Sequence, residues 1–315
     1  MPPHSCSIKI NLIFYLIVVV ATTCYTLGMV NCLASDLKNH DVYIVATDDN
    51  DFTKNIIKKI QFYFPSAKTI DSTNLPPTEK LKPIYLAIGP FALKFLYEKN
   101  VSAPIFSIYI TSDNFRRIIH NENEKNISSI TAIYADPAPE NQFKLISILH
   151  KKILSAAVLI SDETEYLRPA LIQAAEKNSL SLILENISGR NNINYALNNI
   201  KYIPFLLAIP DENIYSPESI KNILITTYRH NQPMIGYSSA LVKAGALASI
   251  HSDISEIITQ MDEQLTEYDK TGKWPAPQFP KYFHVVVNED VARSFNITIE
   301  NDVRKFSYPP PSDES

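Results

Sequence analysis

From Asp41 onward, short runs of β-branched and apolar residues alternate with longer stretches whose apolar positions recur at helical spacing. "DVYIVAT" (41–47) predicts a strand. "DNDFTKNIIKKIQFYF" (49–64) predicts an amphipathic helix, because Phe52, Ile56, Ile57, Ile60 and Phe64 share one face, with Asp49 or Asp51 placed to cap it. "IYLAIG" (84–89), "APIFSIYI" (103–110) and "ISSITAIYA" (127–135) predict further strands. A helix is expected over 90–100, and a helix or turn over "SDNFRRIIH" (112–120). The pattern then repeats, with strands over 154–161, 180–186 and 203–210 and helices over 136–152, 163–179, 191–200 and 216–231. In the last of these helices, Ser216 reads as the N-cap and Pro217 as the first helical residue.

Apolar strands alternating with amphipathic helices predict an α/β fold with parallel sheets, and two such series predict two doubly wound lobes. Beyond Ser239 the chain offers a strand (246–252), a long helix (253–273), a strand (280–288) and a short helix (289–295). That is too little for a third core, so these pieces are expected to complete the first two. The predicted N-terminal lobe is 36–136 plus 240–273, the C-terminal lobe is 137–238 plus 279–305, and 306–315 is a tail. Three interlobe crossings are expected: after Asp136, near Ser238–Gly245, and through the proline-rich "WPAPQFP" near Trp274–Phe279. The chain has only 6 glycines. Two of them, Gly236 and Gly245, fall at the second expected crossing, where a missing Cβ permits a tight bend or close packing.

Composition bounds the class. With 45% hydrophobic and 20% charged residues the chain is folded rather than disordered, and 315 residues accommodate two lobes. The first 34 residues differ from the rest. Lys9 precedes an apolar run from Ile10 to Val30, and "NCLAS" follows, with Cys32 and Ala34 at the positions of a cleavable export leader. A retained anchor is a second reading, since about twenty apolar residues span a bilayer; lipidation at Cys32 is a third. All 3 cysteines lie in that segment, so the remainder has no disulfide, thiolate metal site or cysteine nucleophile. A periplasmic or extracytoplasmic location is expected. The net charge is −4 with scattered basic residues, which excludes a nucleic-acid footprint.

No glycine spacing builds a phosphate cradle, and neither G-x-S-x-G nor H-E-x-x-H occurs. His40, His120, His150, His230, His251 and His284 show no metal-binding spacing along the chain. The expectation is a non-enzyme without cofactor or metal. A ligand is expected beyond the carboxyl ends of the strands. The candidates are Asp48 and Asp49 in "TDDND", Gly89 in "GPF", Thr111 and Ser112 in "TSDN", Ser161 and Tyr166 in "SDETEY", Asp211 and Tyr215 in "PDENIYS", and Tyr237 and Ser238 in "GYSS". The same residue types begin helices as ordinary caps.

"PMIGYSSALVKAGALASIHSD", followed by a helix and "KTGKWPAPQFPKYFHVVVNEDVARSFNITI", resembles the C-terminal third of the ABC-transporter substrate-binding proteins that include tryptophan- and tyrosine-uptake types. "ADPAPENQFKLISIL" and "AIPDENIYSPESI" are similar to that family's entry to the second lobe and to one of its strand ends. The resemblance implies a type I periplasmic-binding-protein fold, with two α/β lobes, three hinge crossings and flytrap-like closure on a small-molecule solute. It also implies an ABC permease as partner. The alternative is a sensor or accessory module of the same fold, signalling to a membrane receptor or kinase. Two departures stand out. Where the family usually carries small hydroxyl residues, this chain has Gly89-Pro90-Phe91-Ala92, and Pro90 offers neither hydroxyl nor N–H. The loop Ser161–Glu165 is acidic. Both point away from a carboxylate-bearing ligand, toward a cationic or neutral one or a repurposed cleft.

Overall fold

The computed structural model describes residues 41–70, 75, 83–120, 129–149, 155–187 and 192–309. The leader or anchor expected over residues 1–34 lies outside the described residues, as do 310–315.

The first five apolar runs form one parallel sheet: β1 (Asp41–Ala46), β2 (Lys68–Ile70), β3 (Pro83–Ile88), β4 (Ile105–Ile110) and β5 (Ile130–Tyr134), in the order β2-β1-β3-β4-β5. β3 is buried along its whole length, as a strand covered on both faces must be. Helices α1 (Asp51–Tyr63), α2 (Gly89–Glu98) and α3 (Ser112–His120) connect the strands. One face carries Val42, Ile44, Leu86 and Phe106, and the other Tyr43, Tyr85 and Ile105, against which Leu93 of α2 packs.

The chain then passes into α4 (Pro139–Leu149), β6 (Ser155–Ile160), a single 3₁₀ turn (Glu165–Leu167), α5 (Arg168–Lys177), β7 (Ser181–Asn186), α6 (Ile193–Asn199), β8 (Leu206–Leu207), α7 (Ile220–Arg229), β9 (Met234–Gly236), α8 (Ser239–Ala244) and β10 (Ala248–His251). After the long helix α9 (Ile254–Thr271) come β11 (His284–Val287), α10 (Glu289–Ser294) and α11 (Asn301–Arg304). The second sheet runs β11-β10-β9-β8-β6-β7, parallel except where β11 meets β10. The result is two α/β lobes joined by three crossings.

The second crossing differs from the expectation at Ser238–Gly245. β10 pairs with β9, placing Ala248 opposite Ile235, so 240–251 belongs to the second sheet. The two glycines build a turn inside that lobe. A Cβ on Gly236 would lie 2.8 Å from Leu241 Cβ, so the bare α-carbon lets α8 fold back onto β9. Gly245, at φ +127°, ends α8. The chain leaves the second lobe only after His251. The apolar face of α9 (Ile257, Ile258, Met261 and Leu265) then packs on the first lobe beside Ile44.

The third crossing lies within the expected Trp274–Phe279 stretch, at its end. Trp274 stacks on Tyr268 at 4.1 Å and meets Phe106 edge-on, and Gln278 exchanges backbone bonds with Tyr134 and Ala132 at the first sheet's edge. The chain therefore crosses after Gln278. Phe306 and Tyr308, expected in a tail, instead pack on and bridge to Phe283 of the second lobe.

Two local details change as well. The N-cap of α1 is Asn50, whose side chain accepts from Thr53 N–H at 2.9 Å, rather than Asp49 or Asp51. Helix α7 starts at Ile220 instead of Pro217, because Ser216 and Ser219 bond to each other and close a turn first.

Candidate functional site

The carboxyl ends of the two sheets face each other, and the residues beyond them meet in two places. The first lies between the start of α3 and the loops after β6 and β8. Ser112 donates its N–H and its hydroxyl to the two oxygens of Asp136, both at 2.6 Å. Asp136 is fully shielded, and burial pushes its carboxyl up to about 6 against those bonds. Asp113 is likewise pushed up to about 6 by burial, with the Arg117 guanidinium at 3.1 Å opposing. Thr111 Oγ1 accepts from Asn114 N–H at 3.2 Å and so caps α3.

From the second lobe, Glu212 reaches across to Arg117 at 3.0 Å and accepts from Asn114 at 3.1 Å. Arg117 and Asn114 hold the Glu212 carboxyl below its usual range. The Arg116 guanidinium sits over the Tyr166 ring at 4.0 Å. Burial raises the Tyr166 phenol, and the first-lobe charges of Asp113 and Asp136 raise it further. Asp211 is buried and serves its own lobe: it accepts from Thr164 Oγ1 at 2.6 Å, from Ser161 N–H at 3.2 Å and from Asn213 N–H at 3.0 Å. Tyr215 is buried in the second core, edge-on to Tyr237. Tyr237 packs half-buried against that core; burial, then Asp136 and Glu212, push its phenol up to about 12.

The second meeting place is open. A cavity of about 440 Å³ is walled by Phe52, Tyr109 and Tyr134 from the first lobe and by Ser238, Ser239 and His251 from the second. Tyr109 takes φ +57°, a conformation an aromatic residue rarely adopts, at a register shift between β4 and β5. The irregularity swings its ring against Phe52, with centroids 5.3 Å apart and planes at 89°. Burial raises the Tyr109 phenol, and burial followed by Asp136 pushes Tyr134 up to about 12.

Of the sequence candidates, Ser238 lines this cavity; Ser112, Tyr166 and Tyr237 stand at the interlobe contact, and Thr111 supports it. Ser161 and Asp211 bond within their loop. Asp48 is exposed, and Asp49 pairs with Lys54 at 3.1 Å. Gly89 opens α2 at φ +82°, with no other group within 4 Å of the place a Cβ would occupy. Sequence reasoning missed Phe52, Tyr109, Asp136, Arg116, Arg117 and Glu212. Asp136 directly follows the strand run "ITAIYA", so the strand-end rule could have found it; Tyr109 depends on a backbone irregularity that no local pattern announces.

No protein-family model matches this chain, and no curated protein does. Solved structures do. A Clostridium difficile substrate binding protein with adhesive properties, in its ligand-free, open form, superposes with a TM-score of 0.61 at 14% identity, over 84% of this chain and 97% of that one. A conserved domain protein from Vibrio cholerae gives 0.56 at 16% identity, over 84% and 97%. A Streptococcus pneumonia ABC domain in complex with L-Trp gives 0.55 at 17% identity, over 83% and 97%. The fold is that of the type I periplasmic binding proteins. The open cavity and the Arg117–Glu212 contact lie between the strand ends of the two lobes. Among the described residues, no helix is long and apolar enough to cross a membrane.

Proposed function

We propose that this chain is an exported solute-binding protein that captures one small molecule between its lobes and delivers it to an ABC permease. One observation carries the reading: a cavity of about 440 Å³ walled by both lobes, into whose lining Tyr109 is turned by a left-handed backbone. Small-molecule sites commonly enclose about 300–1,000 Å³. Backbone strain of this kind persists where surrounding structure holds it, and it concentrates at ligand sites. The rings of Phe52, Tyr109 and Tyr134 beside the hydroxyls of Ser238 and Ser239 suit a ring-bearing molecule with polar groups. Asp253, the one carboxylate in the lining, accommodates a neutral or cationic polar group. The L-Trp complex of the pneumococcal protein supports a solute of that size. Capture, not catalysis, is the proposed task, with closure driven by contacts available only when the lobes meet.

Thermal shift of the full chain against amino acids, amines, sugars, nucleosides and organic acids tests this. A solute at a hundred times its Kd adds about 2.7 kcal/mol of stability, and a neutral or cationic ring compound is expected to do so. Phe52 is 60% exposed, so Phe52→Ala should keep the fold. It should weaken binding up to about tenfold through the lost aromatic contact. Silence across the library, or a response indifferent to Phe52→Ala, would overturn the proposal.

A further inference from the structure

The antiparallel register of β10 and β11 sets His251 directly opposite His284. Their rings meet edge to face, with centroids 5.5 Å apart and planes at 87°. Two residues beyond His251 the chain enters α9, whose capping box is Asp253 with Glu256. His251 Nε2 lies 3.5 Å from Asp253 Oδ1, and His284 Nδ1 lies 3.5 Å from Glu256 Oε2. Ligand atoms of Asp253, Glu256 and His284 all fall within 4.8 Å of one another.

We propose that Asp253, Glu256 and His284, with His251 beside Asp253, form a hinge-seated binding site for a divalent transition metal ion of the zinc class. Zinc takes imidazole nitrogen and carboxylate oxygen at about 2.0–2.2 Å in a tetrahedron, which sets neighbouring donors about 3.4 Å apart. Both nitrogen–oxygen pairs stand at 3.5 Å, close to that spacing. An imidazole nitrogen in the donor set favours zinc, copper or nickel over magnesium and calcium, which prefer all-oxygen shells. Glu256 Oε2 also accepts the Asp253 N–H at 2.7 Å. A carboxylate offers about four lone-pair directions, so this bond orients the group and leaves it able to ligate. The side chains of His251 and His284 are 34% and 37% exposed, which provides a path from solvent.

The position has a mechanical consequence. Both histidines belong to strands of the second lobe, while both carboxylates open the helix packed on the first. A bound ion therefore spans the second crossing and fixes the angle between β10 and α9. His251 and Asp253 also line the cavity, so the ion sits in its wall. The site stands without the solute reading, because a metal titration needs no solute.

Calorimetric titration of the full chain with Zn²⁺ should show one ion per chain at micromolar affinity or tighter. The double variant His251→Gln/His284→Gln should weaken it by about 10- to 100-fold or more, the loss seen for even outer-shell partners. Co²⁺ used in place of Zn²⁺ should give the visible absorption of a tetrahedral nitrogen–oxygen site, lost in the double variant. If that variant fails to fold by circular dichroism, Asp253→Asn, at a side chain 59% exposed, should show the same direction of loss. No saturable binding up to about 100 µM, or binding undiminished by these substitutions, would overturn the proposal. A failed solute screen would leave the zinc result untouched, and the reverse holds.

Discussion

Ser112 donates two hydrogen bonds to Asp136, yet burial outweighs them and the carboxyl is pushed from 3.8 up to about 6. The folded chain therefore holds this proton to a higher pH than the unfolded chain does. Stability from this group is fully present below the unfolded value and is lost as pH rises through about 6. Asp136→Asn keeps an acceptor for the Ser112 N–H and offers a donor to its hydroxyl. The two proteins should match near pH 4 and diverge, in the variant's favour, by up to about 3 kcal/mol at pH 7. Denaturant midpoints across that range check it; a pH-independent difference would refute the assignment. At this scale the sequence was partly legible. Ser112, Tyr166 and Tyr237 could be proposed from the sequence because ligands bind beyond the carboxyl ends of parallel strands. The jobs of Asp211 and Ser161, bonding within their own loop, were hidden because they depend on who lies opposite. The pairing of His251 with His284 was hidden for the same reason: it exists only in the register of two strands separated by a long helix.

At the scale of elements, alternation of strand and helix was readable wherever an apolar run was buried on both faces. β2 was missed because its residues Lys68, Thr69 and Ile70 form a short, largely exposed edge with no such run. α8 was missed because its small residues pack through proximity rather than through a helical stripe. The turn from β9 to α8 sets a sharp demand at Gly236. A methyl group there would meet Leu241 Cβ at 2.8 Å, and that atom is anchored to helix backbone. Gly236→Ala should thus destabilise the second lobe by about 1–3 kcal/mol, the usual range for overpacking. Thermal or urea unfolding measures it, and an unchanged midpoint would show that α8 yields freely.

Across the whole molecule, the lobes touch through Arg117–Glu212 and through Arg116 over Tyr166. Glu212 is 67% exposed, so its ion pair contributes at most about 1 kcal/mol. The guanidinium–ring contact adds about 0.5–1 kcal/mol. Arg116→Ala/Glu212→Ala should therefore shift the balance toward separated lobes by about 2- to 30-fold. It should raise the radius of gyration in solution scattering without solute; an identical scattering curve would mean that the hinge alone sets the angle. The two-lobe plan was legible because the βα alternation starts afresh after Asp136. The exact crossings were not, because a strand of "ALASIH" type suits either sheet, and only its pairing with β9 decides.

The antiparallel strand β11 carries one more implication. The second sheet closes with residues 284–287, after the chain has already returned to the first lobe to lay down α9. Neither half is complete until the segment beyond α9 is in place, because the edge of the first sheet takes its bonds from Gln278 and the second sheet takes β11. The two halves are therefore completed together rather than one after the other, and a cut anywhere in α9 would leave both sheets short of a segment.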